Sequence, residues 1–100
     1  MPWLVVSNDS ENSAAIRADR SVMDAHWQYE LSIKNLIIAA GSLRTDDAKT
    51  PTGSLLILDV DSREEAQALI DGDPATRAGL RGEISIRYWN QAIMNHEESD

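Results

Sequence analysis

The chain has 100 residues, no cysteine and a formal charge of −8. That length suits one domain and not two, and the missing thiols exclude disulfides, thiolate metal sites and cysteine nucleophiles. So acidic a surface repels phosphate backbones and anionic lipid headgroups, so neither nucleic acid nor a membrane is expected as a partner.

Trp3 to Val6 reads as a short β-strand, closed by the polar cluster from Ser7 to Ser13. This start has no basic segment and too short an apolar run for a secretory signal. The other apolar runs, Leu36 to Ala40 and Leu55 to Leu58, are far too short to span a bilayer. With no cysteine to oxidise, a cytoplasmic location is the expectation. Ser13 to Lys34 reads as helix in one or two pieces. Val22, His26, Tyr29 and Ile33 share one stripe, and Met23, Trp27 and Leu31 the adjacent one.

Leu36 to Ala40 is predicted as a second strand ended by Gly41, with a loop over Ser42 to Thr52. Gly53-Ser54 opens a third strand whose run Leu55-Leu56-Ile57-Leu58 suits a central position buried on both faces. Ser62 with Glu65 three residues on is a capping box that starts a second helix, with Gly72 beyond its end. Asp73-Pro74 is an N-cap followed by proline at N1, which predicts a short turn of helix stopped at Gly79. Glu83 to Trp89 alternates apolar and polar residues as a two-faced strand does. Residues 91–100 read as a polar, acidic, frayed tail after a short extension through Ile93 and Met94.

The order β-α-β-β-α-β predicts an α+β, ferredoxin-like domain over residues 1–90 with a four-stranded antiparallel sheet. Two helices cover one sheet face. The simplest cover for the other is a second copy, so a homodimer through the sheet face is expected. A domain this small buries only roughly 60–70% of its unfolded surface, which makes added burial useful.

Several stretches taken in order carry a resemblance: Gly53-Ser54-Leu55-Leu56-Ile57, Ser62-Arg63-Glu64-Glu65-Ala66, Asp73-Pro74, Ala78-Gly79-Leu80 and Glu83-Ile84-Ser85-Ile86-Arg87. With His26 and Tyr29 followed by Leu36 to Ala40, Gly41 and Leu43, they make the chain resemble the YciI-like (YCII-related) family from about Trp3 to Trp89. The resemblance implies a subunit of the dimeric α+β barrel superfamily, with a pocket between sheet and helices. It also implies a recurrent His and Asp in that pocket, which fall here on His26 and Asp73. This sequence departs from the family pattern at Ala75, where an aromatic residue is common, at Met23, where an arginine is common, and at Trp27, where leucine is usual. Arg20 is then the nearest cation to His26 in the chain.

Each candidate has two readings. His26 is a general base with a pKa near neutrality, or a half-buried histidine bonded to a backbone carbonyl. Asp73 orients and charges His26, or simply caps its turn, and one carboxylate can do both. Ser54 is a substrate-binding hydroxyl or a nucleophile beside His26. Arg20 binds an anionic substrate group, or pairs with Asp19 or Asp24 on the surface. Asp46 and Asp47 lack the ligand count of a metal site, His96 stands in the acidic tail, and no glycine-rich phosphate loop is present, so neither metal nor cofactor is expected. The strands lack the exposed aromatic and basic residues of RNA-binding modules on this fold. The expected function is cofactor-independent proton transfer by His26 and Asp73 on a small, ring-bearing organic molecule. The alternative is a non-catalytic dimeric module that binds a small molecule or a protein.

Overall fold

A computed structural model describes residues 1–99. Strand β1 (Pro2–Asp9) leads to helices α1 (Ser13–Ala18) and α2 (Arg20–Ser32), then through a single 3₁₀ turn (Lys34–Leu36) to β2 (Ile37–Arg44) and β3 (Pro51–Asp59). Helices α3 (Arg63–Asp71) and α4 (Pro74–Arg77) precede β4 (Arg81–Tyr88), and a two-stranded ribbon of β5 (Ile93–Met94) and β6 (Glu97–Glu98) follows. The main sheet runs β2-β3-β1-β4 with every neighbouring pair antiparallel. This is the ferredoxin-like arrangement, and the apolar strand β3 lies inside the sheet as its sequence requires.

Local chemistry fixes the helix boundaries. Asp19 breaks the first helical stretch in two: its Oδ1 accepts from the backbone N–H groups of Ser21 at 3.1 Å and Val22 at 3.4 Å, capping α2. Ser62 Oγ accepts from the Glu65 N–H at 3.1 Å, as the capping box requires. The return bond differs, since Glu65 Oε2 accepts from the Asp61 N–H and not from Ser62. Gly72 ends α3 with an ordinary right-handed φ of −78°. Glycine is needed there for space, because a Cβ would sit 2.7 Å from the Tyr29 hydroxyl. Gly79 does take the left-handed conformation, at φ 91°.

Three strands are longer than expected. β1 continues through Ser7, Asn8 and Asp9 because Ser7 Oγ accepts from Arg81 and Asp9 takes the Arg17 guanidinium, so its polar end is bonded inside the fold. Gly41 does not end β2. It pairs with Leu55, and the ladder continues to Arg44. β3 starts at Pro51, and Gly53 lies within it where a Cβ would overlap the Ser7 carbonyl oxygen. The tail departs from the frayed expectation as well. Asn95 and His96 both have positive φ, 52° and 70°, the geometry of a tight hairpin turn between β5 and β6. The last residue of the tail, Asp100, lies outside the described residues.

One sheet face is defined by Val5, Leu56, Leu58 and Ile86, which pack with Val60 and with Ala66 and Ile70 of α3 into the core. Ser7 projects from the same face, next but one to Val5. The opposite face carries Leu4, Val6, Leu55 and Ile57 in register; Ile57 is buried and the other three are half-buried. Among the described residues, no helix is long and apolar enough to cross a membrane.

Candidate active site

Helix α2 buries none of its own residues, yet it lies against α4. His26, nearly two turns into α2, is thereby aimed at the start of α4. Its Nδ1 is 2.8 Å from Asp73 Oδ2 and 2.9 Å from Oδ1. Asp73 is the N-cap of α4 as expected, its Oδ1 accepting from the Ala75 N–H at 2.9 Å, and its side chain is only 5% exposed. Cap and histidine contact therefore coexist on one carboxylate.

Two partners were not legible in the sequence. Glu30, four residues after His26 on the same helix, places Oε1 2.6 Å from His26 Nε2. Arg81, at the start of β4 with its side chain only 2% exposed, donates from Nη2 to Asp73 Oδ2 at 3.2 Å, from Nη1 to Ser7 Oγ at 3.1 Å and from Nε to Thr76 Oγ1 at 2.9 Å. The i,i+4 spacing from His26 to Glu30 was the available signal for the first. Nothing in Leu80-Arg81-Gly82 pointed to the second.

The electrostatics follow from these contacts. The Asp73 hydrogen bond, then the Glu30 hydrogen bond, raise the His26 pKa from 6.5 to about 9 against the opposing cost of burial. At neutral pH the ring is an imidazolium with an N–H towards each carboxylate. Burial pushes Asp73 up, but the His26 bond, the Ala75 N–H and the Arg81 charge outweigh it and hold the carboxyl below its ordinary value. Tyr29, on the same stripe as His26, ties the helix to α3 by donating to the Leu69 carbonyl at 2.7 Å, and burial raises its phenol pKa.

Beside His26 lies a cavity of about 180 Å³. Arg17, His26, Trp27, Glu30 and Arg81 form its charged and aromatic side, while Ala40, Gly41, Ser42, Ser54, Leu56 and Leu80 complete the wall. Arg17 is anchored by two bonds to Asp9, at 2.8 and 2.9 Å. A second cavity of about 230 Å³, lined by Trp27, Glu30, Leu31, Lys34, Ile37 and Ala40, adjoins it.

Of the residues singled out in the sequence, His26 and Ser54 line the first cavity, and Asp73 stands behind His26. No hydrogen bond joins Ser54 to His26, whose two nitrogens face carboxylates. Arg20 is not brought there. It is exposed at the first position of α2, where Asp19 is occupied with capping, and it lines neither cavity. The cations at the cavity are Arg17 and Arg81 instead. Among the described residues, no group of three His, Asp or Glu side chains is arranged to hold a metal ion.

A family model described as the YCII-related domain matches residues 1–90. The chain belongs to the YCII-related family. Among solved structures, this YCII-related chain is similar to the 5-chloro-2-hydroxyhydroquinone dehydrochlorinase of Burkholderia phenoliruptrix, determined in complex with 2,5-dihydroxybenzoquinone. The identity is 30% and the TM-score 0.78, over 90% of this chain and 94% of that one. No match is found among curated protein sequences. The solved relative is thus an enzyme that acts on a small ring compound, and it shares this YCII-related fold over nearly its whole length.

Proposed function

We propose that this protein is a cofactor-independent enzyme that moves a proton on a small, ring-bearing organic molecule, with His26 as the acid–base group and Asp73 as the residue that orients it. The observation that carries the reading is the imidazole held by a buried carboxylate at 2.8 Å on one nitrogen while the ring borders a cavity. Charged in its resting state, His26 starts as an acid. It donates the Nε2 proton to a basic carbon or oxygen of the substrate and becomes neutral. Asp73 keeps Nδ1–H in place and makes Nε2 the basic nitrogen. The neutral ring then takes a proton back from a neighbouring substrate atom. On a substrate bound as its monoanion, a second removal that expels an anionic leaving group leaves a neutral product, and the proton already lost on ionisation completes an elimination of acid; without expulsion the result is isomerisation. The solved relative's reaction, loss of a chloride and a proton from a hydroxylated ring, is of the first kind.

The test is a turnover screen with halogenated and unhalogenated hydroxyquinols. A productive substrate should lose roughly 10²–10⁴-fold in kcat with His26→Asn, and a comparable share with Asp73→Asn, which can keep the cap. Full turnover in His26→Asn would end the acid–base reading. No turnover of any ring compound by the wild-type protein would instead favour the non-catalytic binding module, for which Ala75 and Met23 speak, since the family's usual aromatic and cationic side chains are missing there.

The reading includes a homodimer. Leu4, Val6 and Leu55 lie half-buried on the sheet face opposite the α3-packed core, and a second sheet face is the matching partner. Sedimentation at micromolar concentration should give twice the chain mass, and Val6→Glu should give the chain mass. A wild-type monomer would refute the assembly without touching the proton chemistry.

A further inference from the structure

We propose that Glu30 is an internal occupant of the substrate's anion site, and that the molecule this protein acts on is a small monoanion that takes the place of the Glu30 carboxylate on His26 Nε2. This rests on the reading of His26 as the proton-transfer group and adds to it the charge of the ligand and the residue that guards its place.

The charges around the cavity close in pairs. Arg17 is met by Asp9, Arg81 by Asp73, and His26 by Asp73 on one side and Glu30 on the other. The three carboxylates are not equally held. Both oxygens of Asp9 are taken by Arg17. Asp73 is tied to His26, Arg81 and the Ala75 N–H, and its side chain is 5% exposed. Glu30 has a single partner for its carboxylate among the described residues, the 2.6 Å contact to Nε2, and a three-bond side chain that can rotate away. It also lines both cavities, together with Trp27 and Ala40.

Removing that carboxylate from Nε2 leaves an imidazolium N–H without its acceptor, next to two arginines, in a cavity then short of one negative charge. A carboxylate, phenolate or enolate restores the balance charge for charge with a short, charge-assisted bond. A neutral molecule of the same shape leaves the N–H and the charge unanswered. The organic part of the ligand has an apolar place to go, because Leu31, Ile37 and Trp27 line the second cavity, which Glu30 also borders. Glu30 thus acts as a selectivity residue. Ligands able to outcompete a carboxylate gain the proton-donating nitrogen, and others, water included, do not.

The experiment uses the whole protein and an unreactive probe pair, benzoate and benzamide, with affinities measured by calorimetry at neutral pH. Lifting one resident competitor should tighten benzoate by about tenfold or more in Glu30→Gln and in Glu30→Ala, with benzamide unchanged. Asp24→Asn, which removes the same charge from an exposed position of the same helix, should leave benzoate binding as in wild type. The proposal is overturned if benzoate binds the two Glu30 variants no tighter than wild type, if it binds none of the proteins, or if Asp24→Asn gains as much. These outcomes are independent of turnover. Loss of the benzoate effect with His26-dependent turnover intact would remove Glu30's role alone, whereas turnover that survives His26→Asn would remove the reading beneath it.

Discussion

The two halves of the sheet face that carries the helices are built on opposite principles. Under α3, Val5, Leu58, Ala66 and Ile70 are packed to 2% exposure or less. Under α2 and α4, the same face presents Ser7, and the space above it is filled by Arg81, Asp73 and His26. α3 buries two of its own residues, and α2 buries none. The dry half holds the fold together by area removed from water. The polar half holds a cavity open with a chain of charges, each buried only because the next one meets it. The cavity opens where the helix stands off the sheet, which is the half a binding site needs.

The comparison can be broken by single substitutions. In the polar half, Asp73→Ala removes the cap, strands the nearly buried Arg81 and frees His26. Loss of one partner from a buried pair costs about 3–5 kcal/mol, well above the ~1 kcal/mol of a cap alone. In the dry half, Leu58→Ala should cost about 2–5 kcal/mol through the volume it leaves. Denaturant unfolding at several pH values separates the two mechanisms. The Leu58→Ala deficit should be the same at pH 6 and pH 9, and the Asp73→Ala deficit should shrink as pH rises. An Asp73→Ala cost near 1 kcal/mol would mean that the carboxylate is only a cap and that Arg81 finds other partners.

A smaller effect sharpens the same contrast. The folded-state pKa of His26 lies above its unfolded value, so the stabilisation it gives is fully present below about 6.5 and is lost as pH rises through about 9. Over that window the wild-type protein should lose up to about 3 kcal/mol, and His26→Asn should flatten the loss. Asp73 works in the other direction, since its depressed pKa gives stability that is lost only as acid protonates it. A stability curve that is flat from pH 6.5 to 9 in wild type would contradict the charged state assigned to His26.

The dry half was readable from sequence because its causes are local. The run Leu55-Leu56-Ile57-Leu58 can satisfy its apolar side chains only inside a sheet, and the Ser62 and Asp73 caps act within three residues. The polar half was readable only in part. His26 and Asp73, 47 positions apart, were linked by family resemblance and not by any rule of spacing. Arg81 escaped notice because one of its partners, Ser7, is 74 positions away and meets it only once β1 and β4 pair, although Asp73 and Thr76 are near in the chain. The same contact explains why β1 continues into residues that read as loop. Arg20 was favoured for nearness to His26 along the chain, but Arg17 and Arg81 reach the cavity from other elements.

The central claim is that His26 rests as an imidazolium clamped by Asp73 and poised to give up a proton. A ¹⁵N-detected NMR titration of the His26 ring, in wild type and in Asp73→Asn, tests it most directly. The account expects a midpoint near 9 in wild type, both ring nitrogens protonated at pH 7, and a clearly lower midpoint in Asp73→Asn. A wild-type midpoint near 6.5, unmoved by the substitution, would show that the two side chains do not act as a pair and would contradict the account.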